Sequence, residues 1–578
     1  MRIIHTLILF YLLCSFSAFS VEKTTEQRPK IGLVLSGGGA KGAAHIGVLK
    51  IIEQHNIPID YVVGTSIGSY VGGLYALGYS VNEIEQIMLN LPWDESYSDF
   101  IPRELLSLKD KKHRDQYNIS FRLGYSDGQL KAPSGLLLGQ SAGNLLKYST
   151  DVVATLESFD HLAIPYRAIA ANLATAKTVV IKKGSITKAM RASTAVPGVV
   201  EPVRIDEQLL VDGGITNNMP IDVVKAMGAD IVIAVDIGSP LLDKNAINDT
   251  LDVFDQLSNI LTNNTTLAQM KYVSTRDILI RPKIDNLSTT DFTIMPEALK
   301  LGEKAALEAS KKLKVLSVSQ QEYIDYQQEK QRKKRILFDS FLLPIIEVEY
   351  QNNSKTHIGV IQEKFDISIG EVVTKEQLQL AINRVYALNE FEHVAAEFVD
   401  LPLGRKLILT TQEKSWGPDY LSFGFNLQTD FSYRTIVAID VAYTQNNVSF
   451  YGGEWLNEAS LGWESRLASE FYQPLVETQQ YFAKARIEYS EDKWEQTTER
   501  SELTNEYFKT RLSLGYNFND NSGIEAGIIG EKGVLSFNNV QETSLDYDSL
   551  GTYLSFDYDN LNSVDFPTEG NKFSVNIF

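Results

Sequence analysis

Three glycine-rich stretches carry the residue types that could do chemistry. Ser36-Gly37-Gly38-Gly39-Ala40-Lys41-Gly42 follows the apolar run Ile31–Leu35 and opens a segment with helical spacing over 42–54. Consecutive glycines at a strand-to-helix turn let backbone N–H groups face an anion with no side chain in the way. The spacing is neither that of a phosphate loop nor that of a dinucleotide fingerprint. Lys41 reads as a solvated helix-start residue rather than a ligand contact, the ordinary fate of a charge. The second stretch, Gly64-Thr65-Ser66-Ile67-Gly68, stands between the strand-like 61–63 and a helical run. Gly-x-Ser-x-Gly in that setting is a nucleophile elbow, a sharp turn that lifts the Ser hydroxyl above the sheet. The helix N-terminus beneath it favours developing negative charge. The third is Val211-Asp212-Gly213-Gly214, after the apolar Leu209-Leu210. Asp-Gly is by itself a plain turn. A carboxylate can also take a Ser proton if burial raises its pKa, and Gly213 and Gly214 would let that loop approach closely.

A triad with histidine is the rival arrangement. The seven histidines are His5, His45, His55, His113, His161, His357 and His393. His357 and His393 lie far downstream, in the separate 341–413 unit, so none occupies the position after an Asp loop that the order Ser, Asp, His demands, and His45 falls in the helix after the glycine loop, where a packed or exposed role suffices. No acidic loop has calcium-site spacing, and a single Cys excludes both a disulfide scaffold and a zinc site built on Cys clusters. No metal and no cofactor are expected.

With Arg191-Ala192-Ser193-Thr194-Ala195-Val196-Pro197-Gly198 added, four blocks stand in order across about residues 30–315. This order resembles the patatin family of lipid acyl hydrolases. The resemblance implies a three-layer α/β domain with a central sheet over 28–318. It implies Ser66 as nucleophile, Asp212 as proton acceptor and an oxyanion hole from Gly37, Gly38 and Gly39, with Gly64, Gly68, Gly213 and Gly214 shaping the turns. Membrane lipids, phospholipids above all, would be the substrate. The family also suggests dimers. Asn172 departs from the Asp often found at that strand end, which touches a turn contact and no catalytic role.

The elements that must position these residues can be read from periodicity. Residues 30–315 alternate apolar runs with helical patterns, as α/β domains do, with strands near 179–181, 209–211 and 231–235 and a helix over 297–315 after Pro296. Residues 319–340 read as a polar linker or solvated helix ending in a basic cluster. From 341 to 413 the pattern becomes strand, helix, helix, strand, strand, with a helix over 375–386. This small α+β unit resembles a POTRA module. Beyond Pro418 come alternating segments such as Tyr420-Leu421-Ser422-Phe423-Gly424-Phe425-Asn426-Leu427, separated by polar turns. Soluble β-sandwiches share that alternation. Aromatic segment ends and strongly polar turns fit an antiparallel transmembrane β-barrel over 418–578. Asp565-Phe566-Pro567-Thr568-Glu569-Gly570 resembles a turn of assembly-superfamily barrels. The segment holds roughly 8–10 strands of 9–11 residues. The resembled superfamily builds sixteen, so truncation or a departure from its relatives is expected.

Composition bounds the rest. In 578 residues, 54 basic against 73 acidic ones leave a net charge of −19, and no nucleic-acid partner is expected. A hydrophobic fraction of 44% supports packed cores, and the length exceeds a single one. Met1-Arg2, the apolar run over 3–19 and Ala18-Phe19-Ser20 match a secretory signal over 1–20. An uncleaved anchor is the rival, and Tyr11-Leu12-Leu13 ahead of Cys14 lacks the small residue of a lipid-attachment signal. The whole order resembles the patatin-like autotransporters of type Vd. It implies an exported esterase on a barrel in the outer membrane of a Gram-negative bacterium, inserted with the barrel-assembly machinery. The passenger would be surface-exposed, secreted or periplasmic. The alternative is an outer-membrane assembly or transport protein whose patatin-like domain only binds lipid.

Overall fold

The apolar runs of the first region become strands. These are β1 (Ile31–Leu35), β2 (Tyr61–Thr65), β3 (Ile119–Ser126), β4 (Gln129–Lys131), β5 (Tyr166–Asn172), β6 (Lys177–Ile181), β7 (Val203–Ile205), β8 (Gln208–Asp212), β9 (Ile231–Val235) and β10 (Ile278–Ile280). The computed structural model describes residues 28–578 except 95–98, 100, 127, 134, 136, 151–152, 249, 430–434, 463–464, 497–500 and 539–542. The expected export segment 1–20 lies outside the described residues. All of these strands but β3 and β4 form one sheet in the order β10-β9-β1-β2-β5-β8-β7, with β6 also on β5. The β10-β9-β1-β2-β5 part is parallel, while β6 and β8 run antiparallel to β5. Every residue of β1 and β9 is buried, as a sheet covered on both faces requires. Strand alternation divides the core in two: Leu33, Leu35 and Val62 belong to one cluster, Val34, Val63 and Ile169 to another across the sheet.

The helices that matter below are α1 (Ala43–Gln54), α2 (Ile67–Ala76), α3 (Leu108–Gln116), α4 (Gln140–Thr150), α5 (Ile186–Thr194), α6 (Gly214–Asn217), α7 (Thr250–Gln269), α8 (Met295–Glu308) and α9 (Gln320–Asp339). Helices α1 and α8 cross closely enough that a Cβ on Gly47 would lie 2.1 Å from the Leu299 carbonyl oxygen. Of the two readings of 319–340, solvated helix or linker, the residues form the helix α9, exposed over most of its length but docked rather than free. Its Lys330 is buried, donates to the Tyr79 carbonyl at 3.1 Å and sits 3.6 Å from the Tyr75 ring centre. A long polar side chain can cover apolar surface with its stem while its head finds partners, so a polar sequence still docks.

The next unit is β11 (Ile345–Asn353), α10 (Ile358–Phe365), α11 (Lys375–Tyr386), β12 (Phe391–Leu401) and β13 (Gly404–Glu413). Its sheet runs β11-β13-β12, with β11 parallel and β12 antiparallel to β13. Phe365, Leu378, Ile382, Val385 and Phe398 fill its core.

The last region is a large antiparallel meander. Its strands are β14 (Asp419–Thr429), β15 (Thr435–Gln445), β16 (Glu454–Gly462), β17 (Ser465–Pro474), β18 (Tyr481–Gln496), β19 (Ser501–Asn519), β20 (Ser522–Asn538), β21 (Thr543–Asp559) and β22 (Lys572–Ile577). Lengths run from 6 to 19 residues, a wider spread than the sequence pattern implies. Strand β14 pairs with β15 along one edge and with β3 along the other, so the β3–β4 hairpin of the first region extends the sheet to 11 strands. One face carries exposed apolar rows, for example Ile439 opposite Leu461 and Leu467 opposite Tyr489. The other face carries buried or half-buried charge: Arg486 pairs with Glu458, Glu470 and Glu488, and Lys484 with Glu525. Helix α3 lies against this polar face. Beside these contacts lies a cavity of about 1530 Å³ with mixed polar and apolar lining, bounded by Lys109, His113, Glu458 and Arg486 among others.

Candidate active site

The elbow forms because β2 ends at Thr65 and α2 begins at Ile67, leaving one residue to turn the chain. Ser66 takes that turn at φ +54° and ψ −131°, a conformation that costs a non-glycine residue free energy and persists only where its surroundings impose it. They do. Its N–H donates to Ser193 Oγ at 2.9 Å, and Ser193 in turn donates to the Ile169 carbonyl at 2.5 Å. Thr65 Oγ1 donates to the Asn217 carbonyl at 2.9 Å. Gly64 and Gly68 pack against each other: a Cβ on Gly64 would lie 2.3 Å from the Gly68 oxygen. The turn closes only without side chains there.

Asp212 ends β8, on the strand next to β5, and its N–H donates to the Ala195 carbonyl at 2.8 Å. Its buried carboxylate lies near enough to Ser66 for that side chain to lower its pKa, and Oδ1 accepts the Gly214 N–H at 2.7 Å. Desolvation pushes its pKa up to about 6, against the lowering effect of Ser66 and the Gly214 N–H. With that value the carboxyl is largely ionised at neutral pH and more basic than an exposed aspartate.

The glycine loop lies directly over Ser66, since a Cβ on Gly37 would sit 2.9 Å from Ser66 Cβ. Of the three glycines named from the sequence, Gly37 already donates its N–H to Asn218 Oδ1 at 3.1 Å. The N–H groups of Gly38 and Gly39 have no acceptor among the described residues. Gly39 has φ +58°, and Ala40 N–H beyond it is tied to the Thr289 carbonyl at 2.8 Å. Lys41 corrects the solvated reading: it is buried, donates to Ser239 Oγ at 2.8 Å, and burial lowers its pKa. Its ammonium holds the start of α1 to the loop after β9.

The histidines lie away from the dyad. His45 is buried with Nε2 2.9 Å from the Ser36 carbonyl, and desolvation brings its pKa down to about 4, so it is a neutral donor bracing the glycine loop. His113 meets Ser422, and His393 meets Arg191. Asn172 Oδ1 accepts from the N–H groups of Ala174 and Thr175 at 3.0 Å, a local turn contact. Sequence reasoning missed Asn218 and Ser193 as holders of the site. Ser193 sits inside a block that was singled out, but nothing in a one-dimensional pattern ties it to residue 66.

A serine on a strand-to-helix elbow beside a buried carboxylate, over a sheet covered on both faces, is an arrangement of the α/β type. Residues 33–225 match the family described as patatin-like phospholipase. The chain therefore carries a patatin-like phospholipase domain. It is similar to the lysophospholipase NTE1 of Candida albicans, with 30% identity over 299 residues that cover 48% of this chain and 20% of that one. It is also similar to the human patatin-like phospholipase domain-containing protein 6, 29% identical over 290 residues, which cover 45% and 19% respectively. The chain spans about a fifth of the length of these curated relatives. Among solved structures, BamA from Haemophilus ducreyi lacking POTRA domains 1–3 matches at TM-score 0.31 and 16% identity, over 40% of this chain and 47% of that one. VipD from Legionella pneumophila matches at TM-score 0.27 and 14% identity, over 54% and 75%.

Proposed function

We propose that this chain is a lipid acyl-ester hydrolase of phospholipase A or lysophospholipase type, acting through Ser66 and Asp212. The observation that carries the reading is the positive-φ elbow serine beside the buried Asp212 carboxylate, under a glycine loop whose Gly38 and Gly39 N–H groups have no acceptor among the described residues. As Ser66 Oγ attacks the ester carbonyl carbon, Asp212 takes the hydroxyl proton. The carbonyl oxygen becomes an oxyanion facing the N–H groups of Gly38 and Gly39, which are fixed before the charge develops. Collapse breaks the bond to the leaving alcohol, which takes the proton from Asp212 as it departs. Water then attacks the acyl-Ser66 carbonyl and gives its proton to Asp212. That proton returns to Oγ as the fatty acid leaves.

The C-terminal sheet supports attachment to an outer membrane. Its apolar rows face outward and its charges face inward, the reverse of a sheet packed in water, and lipid is the solvent that stabilises such a strand. No helix among the described residues is long and apolar enough to cross a membrane. The βααββ unit between the two has the strand and helix order of a POTRA module, which fits a type Vd arrangement, export through the segment 1–20 and insertion by barrel-assembly machinery.

The test is turnover of a chromogenic short-chain ester by the full chain. Ser66→Ala should abolish it, and a serine-directed phosphonate should label wild type once, at Ser66. Asp212→Asn should be nearly as damaging, because an amide cannot accept the proton. Near wild-type turnover by Asp212→Asn would remove the dyad.

A further inference from the structure

Helix α7 is built inside out. Its inward residues are polar: Asn263 donates to the Ser239 carbonyl at 2.9 Å, Thr265 to the Gly214 carbonyl at 2.9 Å, and Gln269 accepts the Asp222 N–H at 3.1 Å. Thr266 Oγ1 accepts from Asn218 Nδ2 at 3.3 Å, the same side chain whose oxygen holds Gly37. Its outward residues are apolar and exposed: Val253 45%, Leu257 50%, Ile260 38%, Leu261 43% and Leu267 68%. At 100° per residue these five fall within an arc of about 120°. Asn264 lies in the same arc and is also exposed. In water such a helix has its faces the wrong way round, and the polar contacts explain only the inner one.

We infer that the outer face of α7 lies on a lipid surface and delivers lipid to the dyad beneath it, an inference that rests on the lipid-ester reading of the site. Three observations select a bilayer over other occupants. The helix is anchored on Gly214 and Asn218, so its apolar stripe stands roughly one helix diameter, about 10 Å, from the catalytic loops. Residues 256–275 contain no Asp or Glu and one Lys in a chain of net charge −19, and Asp252 and Asp255 at the start of the helix fall outside the arc of the stripe, so this face is spared the repulsion that an anionic surface would exert elsewhere. From Val253 to Leu267 the stripe is about 21 Å long and, at about 10 Å wide, covers on the order of 200 Å². A stable dimer needs roughly 800 Å² per partner, whereas an interfacial helix needs only an apolar face at the headgroup boundary.

The experiment uses the full chain in amphipol, mixed with vesicles of phosphatidylethanolamine and phosphatidylglycerol. Leu257→Ser with Leu261→Ser should lower hydrolysis of vesicle lipid about tenfold or more and leave the soluble short-chain ester within about twofold. In a second variant, Leu261→Trp, the indole emission should shift to the blue on adding vesicles and be quenched by brominated lipid. Equal loss on both substrates, or an indole that vesicles do not quench, would overturn the proposal. So would a dimer that dissociates in the double-serine variant while its vesicle hydrolysis stays at the wild-type rate, which would assign the face to a second copy. A wild type that never cleaves the soluble ester would instead defeat the hydrolase reading. The indole measurement would still decide the lipid surface.

Discussion

If Asp212 is the base proposed above, it sets the pH behaviour of the site. With its pKa pushed up to about 6 by desolvation, kcat/KM on a soluble ester should rise with pH through a single limb near 6 and then stay level. A pH–rate profile checks this, and His45, held neutral down to about pH 4, should add no limb between 6 and 8. The same shift has a stability consequence of known sign. The folded carboxyl keeps its proton to about pH 6, while the unfolded one releases it near 3.9, so the folded state binds more protons in that window. Stability therefore falls as pH rises from about 4 to 6, by up to about 3 kcal/mol, and stays lowered above. Asp212→Asn should be inactive yet unfold at a higher temperature than wild type at pH 7.5, with the gap closing toward pH 4. Asn218 offers a second case. Asn218→Ala orphans the Gly37 N–H and frees the loop over Ser66, so kcat should fall about 10–100-fold with a smaller change in KM.

Elements were legible to different depths. The capping box at Ser319 and Glu322 marks a helix start that sequence alone can supply, but the docking of α9 depends on Tyr75 and Tyr79, far away in the chain. Lys330→Ala would leave the Tyr79 carbonyl without its donor and open space beside the Tyr75 ring. It should lower the stability of the first domain by about 2 kcal/mol, read by thermal unfolding, with ester turnover unchanged. The βααββ unit docks in a way periodicity cannot show. The Gln140 side chain of α4 both donates to the Val394 carbonyl at 2.9 Å and accepts its N–H at 3.1 Å, taking a neighbouring strand's place on β12. Nearby, Arg191 of α5 meets His393, two residues before Ser193, which holds the nucleophile's backbone.

At the scale of the molecule, the first region grips the C-terminal sheet by charge. Arg103, almost fully buried, bonds both Asp115 and Asp559, and the α3 lysines Lys109, Lys111 and Lys112 meet Glu454, Asn521 and Asp557. Removing one member of a buried hydrogen-bonded ion pair leaves its partner uncompensated, at about 3–5 kcal/mol. Arg103→Ala should therefore expose α3 to trypsin in the otherwise folded protein while the short-chain ester is still hydrolysed at the wild-type rate. Limited proteolysis beside the activity assay checks both halves.

Sequence by itself determined the local features. Glycine spacing specified the elbow at Ser66, because only residues without Cβ fit where Gly64 and Gly68 touch. Period-two alternation specified the C-terminal strands, because a pleated strand sends neighbouring side chains to opposite faces. The order strand, helix, helix, strand, strand was legible over 341–413 for the same reason. Tertiary structure alone decided that Gly37 is held by Asn218, that Lys41 is buried, that β3 completes the edge of β14, and that α7 turns its polar face inward. Each of these joins residues tens to hundreds of positions apart. Periodicity reports only which face of an element a residue occupies, while the partner across that face is chosen by packing of the whole chain.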